Sequence, residues 1–364
     1  MSTPVTGEWP LRRLLSEVIG SGPRSAEDMT REQAREAFER ILAGDPDPTT
    51  LGAFLLAARW KTNPPEELGA FVDVMREQSV ETAAPEADPV DCGANYDGKQ
   101  DSALLGVAAG LVAAAAGTPV VVHSGDRVPS KGGVAYRHVL DELGVPTKLA
   151  PQESAAMVDE TGFGFYYQPW FNPGVHGLLD RRRAMGVRTP INTVETLANP
   201  ADASVHLGSF YHLTYATRII ETLAESEQEL DRVVMFQGME GYDDVRPGST
   251  KVATWDRDEG SEGEIEDFDI ETAAYGMDIE AADLEVDDVA ADSARITEDV
   301  LAGQQDGHFA DAVALNTALR LYAGGDVAEL DDGLELARKT LADGDAAEVL
   351  AELRAFESDD SETP

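Results

Sequence analysis

The stretch Val90–Ser102, VDCGANYDGKQDS, runs from a short apolar segment through a turn marked by Gly93 and Gly98 toward an Ala-rich helix. A strand, a Gly-containing turn and a helix start form a natural anion pocket, because the first helical N–H groups lack intrachain partners. The same turn carries Asn95, Tyr96, Asp97 and Asp101, which are bulky or negative. It therefore reads as a phosphate site that either works or is blocked. Arg181, Arg182 and Arg183 form the densest basic spot; guanidinium forks match carboxylates, and the plainer alternative is pairing with surface acids. His123 falls at a strand end, as a ligand contact or a hydrogen-bonded structural residue. Lys131 lies in the Gly-rich turn RVPSKGGV, where it suits a phosphate. Asp243 and Asp244 are adjacent carboxylates; they read as metal ligands with phosphate as co-ligand, or as a solvated acidic turn.

The elements that must hold these groups follow from the apolar pattern. Residues 10–80 read as helices. Thr30 with Gln33 forms a capping box ahead of Ala34, Ala37, Phe38, Ile41 and Leu42 at helical spacing, and Gly44 ends that element. TTLGAFLLAARWKT and PPEELGAFVDVMREQSV supply two more helices, with Pro64-Pro65 between them. ETAAPEAD is a linker. From residue 89 strands and helices alternate, which implies parallel strands with right-handed crossovers. Strands are expected at 89–93, TPVVVHSG, GFGFYY, VRTPIN, SVHLGSF and RVVMFQG, and a helix from about residue 102. Ligands of such sheets sit at the carboxyl ends of strands, which singles out loops 93–101, 123–133 and 238–245. The acidic segment 255–293 is expected to be a surface excursion with short strands, and two amphipathic helices follow. The domain reading is a helical unit at 1–82 that serves dimerisation, an α/β unit with a mainly parallel central sheet at 89–356, and a disordered acidic tail at 357–364.

Composition bounds the function. There are 69 Asp and Glu against 28 Lys and Arg, a net charge of −41, and only six of the cations are Lys. Such self-repulsion is tolerable where salt screens it, so the chain reads as adapted to a salt-rich cytoplasm. The same charge disfavours nucleic acid as a partner, since phosphate contacts weaken steeply with salt; a local basic groove near Arg181–Arg188 would be needed. Cys92 is the single cysteine. It excludes an intrachain disulfide and a cysteine-based zinc site, and it reads as a buried structural thiol. The uncharged run 104–122 reaches membrane-spanning length, but Gly117-Thr118-Pro119 breaks it into a buried helix, a turn and a buried strand.

With these residues in view, the chain resembles the anthranilate phosphoribosyltransferase family, glycosyltransferase family 3, over nearly its whole length, and within it a divergent branch. AFERILAGDPDPTTLGAFLLAARWKTNPPEELGAFVDVMRE resembles the family's helical domain, and ALNTALRLYAGG…LDDGLELARKTLADG its closing helices. The resemblance implies transfer of ribose 5-phosphate from phosphoribosyl pyrophosphate to an aromatic amine or related acceptor, with Mg²⁺ on the pyrophosphate, a homodimer, and a place in tryptophan biosynthesis. It implies donor-site roles for Gly93, Asp97, Gly98, His123, Arg127, Ser130 and Lys131. Acceptor contacts would fall to Arg182 and Asn192, and the metal to Asp243 and Asp244. The family's GTGGDG loop appears here as Gly93-Ala94-Asn95-Tyr96-Asp97-Gly98, with both central glycines replaced, and its diphosphate-binding hydroxyls are absent from Leu104–Val107. Glu195-Thr196 stands where the family has Gly-Pro. Preorganised donors around developing charge are worth about 3 kcal/mol each, so the expectation is a degraded donor loop, with Tyr96 packing the vacated space. The alternative is a non-catalytic family member that binds nucleic acid or a small ligand.

Overall fold

The computed structural model describes residues 7–20, 22, 24–128, 131–257 and 263–357. Four helices come first: α1 (Leu11–Glu17), α2 (Arg31–Leu42), α3 (Pro48–Lys61) and α4 (Pro65–Gln78). The Thr30–Gln33 capping box is formed in both directions, and Pro65 occupies the first turn of α4, where a missing N–H costs nothing. Seven strands then build one sheet: β1 (Val90–Gly93), β2 (Val120–Ser124), β3 (Phe163–Tyr167), β4 (Val205–Phe210), β5 (Arg232–Gln237), β6 (Ser249–Asp256) and β7 (Ile265–Glu271). Their order is β3-β2-β1-β4-β5-β6-β7. The first five pair in parallel, and β6 and β7 are added antiparallel.

One face of the sheet packs on the helices Gly106–Ala115, Tyr136–Leu143 and His308–Gly324. The other face, through Val121, Tyr166, Val233 and Met235, shares a core with Phe38, Phe54 and Phe71 of the N-terminal helices. The helical unit is thus docked on the sheet. The cleft between them opens above the carboxyl ends of β1 and β4, at the point where strand order reverses and ligands of such sheets collect.

Three local expectations are corrected. VRTPIN is no strand: residues up to Pro190 lead into the helical turn Ile191–Val194. The helix expected from about 102 starts at Gly106, because the preceding residues are drawn into other bonds. The acidic 255–293 segment is less peripheral than expected, since β7 completes the sheet with its carboxylates turned outward. A charged edge of that kind discourages pairing with another chain. Cys92 is buried as expected, and among the described residues no helix is long and apolar enough to cross a membrane. Of the tail expected to be disordered, 358–364 lies outside the described residues.

Candidate functional site

The loop after β1 is closed by its own chain. Ala94, Asp97 and Gly98 donate their N–H groups to Cys92 O, Asn95 Oδ1 and Asn95 O at 3.0, 3.0 and 3.2 Å. Lys99 forms a two-way backbone bridge with Val134, and Gly133 donates to Asp97 O. Gly98 has φ +73°, and a Cβ there would meet the Gly133 carbon at 2.6 Å. The loop and the Gly132–Val134 turn therefore press backbone to backbone. Further on, the Glu240 carboxylate accepts from Gln100 N at 2.8 Å, Ser102 N at 2.9 Å, Asp101 N at 3.4 Å and Ser102 Oγ at 2.5 Å. Against the effect of burial, the Ser102 hydroxyl and these amides hold its carboxyl below the usual value. These backbone donors are all engaged by intrachain acceptors.

Beneath the loop, Tyr96 is fully buried and its hydroxyl shares a hydrogen bond with His123 Nδ1. Burial, with the Glu195 and Asp91 charges behind it, pushes the phenol well above its ordinary value. His123 Nε2 lies 3.3 Å from Asp91 Oδ1, and Asp91 Oδ2 bonds His206 Nδ1 at 2.9 Å. Burial alone would raise the Asp91 carboxyl, but the two imidazoles hold it far below the usual range. Gly93 serves this array: a Cβ there would stand 2.4 Å from both His206 Cε1 and Thr196 O. Close backbone approach at residue 93 is thus demanded by a histidine of the neighbouring strand, for which no ligand need be invoked.

Arg182, expected to meet an acceptor, is 4% exposed and bound through both Nη atoms to Glu195, at 2.6 and 2.7 Å. Gln168 adds a third bond to the same carboxylate at 2.9 Å. Glu195, standing where the family has glycine, supplies the carboxylate that the arginine fork matches. Asn192 Oδ1 accepts from Thr189 N, while its Nδ2 lies 3.5 Å from Asp97 Oδ1. The buried Asp97 is paired by the Arg188 fork.

Asp243 and Asp244 are wholly buried and each has a cation of its own. Lys99 Nζ bonds Asp244 Oδ2 and Ala103 O, both at 2.6 Å, and Leu105 N donates to Asp244 Oδ1. Arg320 Nη2 bonds Asp243 Oδ2 at 2.8 Å, joined by the Tyr136 hydroxyl. Burial outweighs the pull of Arg320 and moves the Asp243 carboxyl up to about 7. Mg²⁺ held mainly through phosphate and water needs one or two carboxylates with accessible oxygens. These two do not fit, and among the described residues no cluster of three His, Cys, Asp or Glu could hold a metal. Arg127 is exposed and donates to Gly132 O at 2.6 Å; Lys131 is exposed on the same turn, its carbonyl accepting from Gln100 Nε2. Ser130 lies outside the described residues.

A cavity of about 310 Å³ lies between the two units, lined by Arg59 and Asn63 on one side, by Arg188, Tyr211, Tyr215 and Arg218 on the other, and by Gly93 and Asn95 of the loop after β1. Sequence reading missed Glu195 as the partner of Arg182, the Asp91–His206 pair, and Arg59 and Arg218 at the cavity. The one available signal was Glu in place of a family glycine beside an expected substrate arginine.

Comparison with known proteins agrees with this architecture. Residues 16–79 match the family described as glycosyl transferase family, helical bundle domain, and residues 97–347 match glycosyl transferase family, a/b domain. Anthranilate phosphoribosyltransferase of Persephonella marina is 30% identical over 334 residues, 90% of this chain and 95% of that protein. The protein of the same name from Natronomonas pharaonis is 29% identical, over 91% of this chain and 96% of that one. The structure of anthranilate phosphoribosyltransferase (TrpD) from Thermus thermophilus superposes with a TM-score of 0.78 at 27% identity, covering 91% of this chain and 96% of that one. The Saccharomyces cerevisiae enzyme, in complex with PRPP and Mg, shares the fold at 18% identity and a TM-score of 0.76, over 90% and 93% of the two chains.

Proposed function

This chain belongs to the glycosyl transferase family 3, and from that premise we propose that it is a phosphoribosyltransferase-type protein in which the usual donor loop has been retired and the cleft serves a different small ligand. Phosphoribosyl transfer in the general sense is the chemistry its relatives' names carry. The observation that supports the narrower reading is the occupation of both substrate halves by intrachain groups: Glu195 on Arg182, and Glu240 on the amides of 100–102. A diphosphate approaching loop 93–98 would have to displace backbone partners already in place, and its metal would find Asp243 and Asp244 paired with Arg320 and Lys99. Buried charges with good partners are costly to unpair.

The acidic composition supports a salt-rich cytoplasmic setting, screened at molar salt. Leu56 and Trp60, one turn apart on α3 and exposed at 40% and 79%, support a homodimer through the N-terminal helices. Calorimetry with phosphoribosyl pyrophosphate and Mg²⁺ in molar KCl tests the reading. Absence of metal-dependent heat is expected; saturable, Mg²⁺-dependent binding at millimolar concentration or tighter would overturn it.

A further inference from the structure

The backbone amides ahead of the helix Gly106–Ala115 are shared among acceptors unevenly. Ala103 N donates to Leu284 O at 2.9 Å, Leu104 N to Ser293 Oγ at 2.8 Å and Leu105 N to Asp244 Oδ1 at 3.1 Å, one acceptor each. Gln100 N, Asp101 N and Ser102 N instead converge on the single carboxylate of Glu240, and the Ser102 hydroxyl joins them. Successive amides aimed at one point make a concavity for an anion, and the Lys99 ammonium favours negative charge at the same place. Glu240 reaches it through an unfavourable backbone: it is one of four non-glycine residues with positive φ among the described residues, at φ 56° and ψ 11°. Gln100 and Asp101 are exposed and Glu240 is half-buried, so the concavity lies at the surface. A tetrahedral oxyanion carries enough oxygens to meet all four donors, and charge-assisted bonds of that kind are the strong ones.

We propose that residues 100–102 form a binding site for a small tetrahedral oxyanion, phosphate or sulfate, which this chain keeps closed with the Glu240 carboxylate as a built-in substitute ligand. The proposal rests on the reading that the loop after β1 no longer serves the usual donor, and it adds the group that holds the following segment shut. The site is separate from the cavity between the two units, which neither residues 100–102 nor Glu240 line.

The test is calorimetric titration of full-length Glu240→Gly with potassium phosphate, at the lowest KCl concentration that keeps the protein folded. Glycine suits the left-handed position and uncovers all four donors. The variant is expected to bind phosphate saturably in the millimolar range, at least tenfold more tightly than the wild type. Adding Ser102→Ala should weaken that binding about tenfold, the usual worth of a hydrogen bond to a charged group. Asp180→Asn, which removes an exposed carboxylate elsewhere, should bind phosphate no better than the wild type. Methyl phosphate distinguishes two sources of the ligand: equal binding admits the end group of a phosphate ester, rejection confines the site to the free anion, and either result upholds the site. Should Glu240→Gly not fold, Glu240→Gln keeps the length of the side chain without its charge, and a gain over the wild type is expected there too. A folded variant that binds phosphate no better than the wild type, or binding indifferent to Ser102→Ala, would overturn the proposal. The donor titration separates the two readings: Mg²⁺-dependent binding of phosphoribosyl pyrophosphate by the wild type defeats the retired-loop reading, whereas no phosphate binding by a folded Glu240 variant defeats the closed-site assignment alone.

Discussion

Replacing Glu195 by alanine removes one carboxylate and leaves the Arg182 guanidinium at 4% exposure without its hydrogen-bonded counter-charge, since Glu195 supplies both of its Nη bonds. Breaking a buried pair from one side costs roughly 3–5 kcal/mol, because the remaining charge is stranded in a poorly solvated site. At about 2 °C or more per kcal/mol for a domain of a few hundred residues, the thermal midpoint should fall by roughly 6 °C or more. The lost carboxylate also leaves a hole of its own shape. Formate or benzoate added to Glu195→Ala should therefore restore part of the midpoint, with no such effect on the wild type. Arg182→Met/Glu195→Met, which removes both charges, should recover most of the loss. Differential scanning calorimetry at fixed molar KCl reads all three. A loss below about 1 kcal/mol for Glu195→Ala, or a double variant no more stable than the single, would refute the claim that the arginine is completed from within.

Further outcomes follow from the same interior. The Asp243 carboxyl sits at about 7 when folded against an ordinary value near 3.8, so the folded state holds a proton that the unfolded state has lost between those values. Stability from this group declines as pH rises from about 4 to about 7, and Asp243→Asn should flatten that slope in urea midpoints measured across the range. Gly93→Ala would drive a methyl against His206 and the Thr196 carbonyl; a loss of about 1–3 kcal/mol in urea unfolding is expected, and a neutral result would mean the array relaxes freely. Trp60→Asp places a charge on the exposed face of α3 and should convert a dimer to a monomer in high-salt light scattering; an unchanged mass would place the contact elsewhere.

Much of the scaffold is legible in sequence because its signals are local. The Thr30–Gln33 cap, Pro65 at a helix start, and the break of the uncharged run at Gly117 each act within one turn of chain, and the structure forms them as the residues suggest. VRTPIN misleads because β-branched Val187, Thr189 and Ile191 at alternate positions imitate a strand, while Pro190 and the Thr189–Asn192 contact begin a helical turn. The site is less legible for a different reason. Glu240 meets Ser102 across 138 residues, Lys99 meets Asp244 across 145, and His206 meets Asp91 across 115. No spacing rule reaches that far. Tyr96 stands out in the sequence by its size, but its hydrogen bond to His123 depends on β1 and β2 lying side by side.

Glu240 holds a left-handed backbone, φ 56°, to seat its carboxylate on residues 100–102. Three residues later the same turn sends Asp243 and Asp244 inward to Arg320 and Lys99, and Lys99 adjoins the segment that Glu240 clasps. The two stretches are stitched together at both ends, so neither can swing out while the other stays. The turn and the segment it clasps are joined as by a rivet.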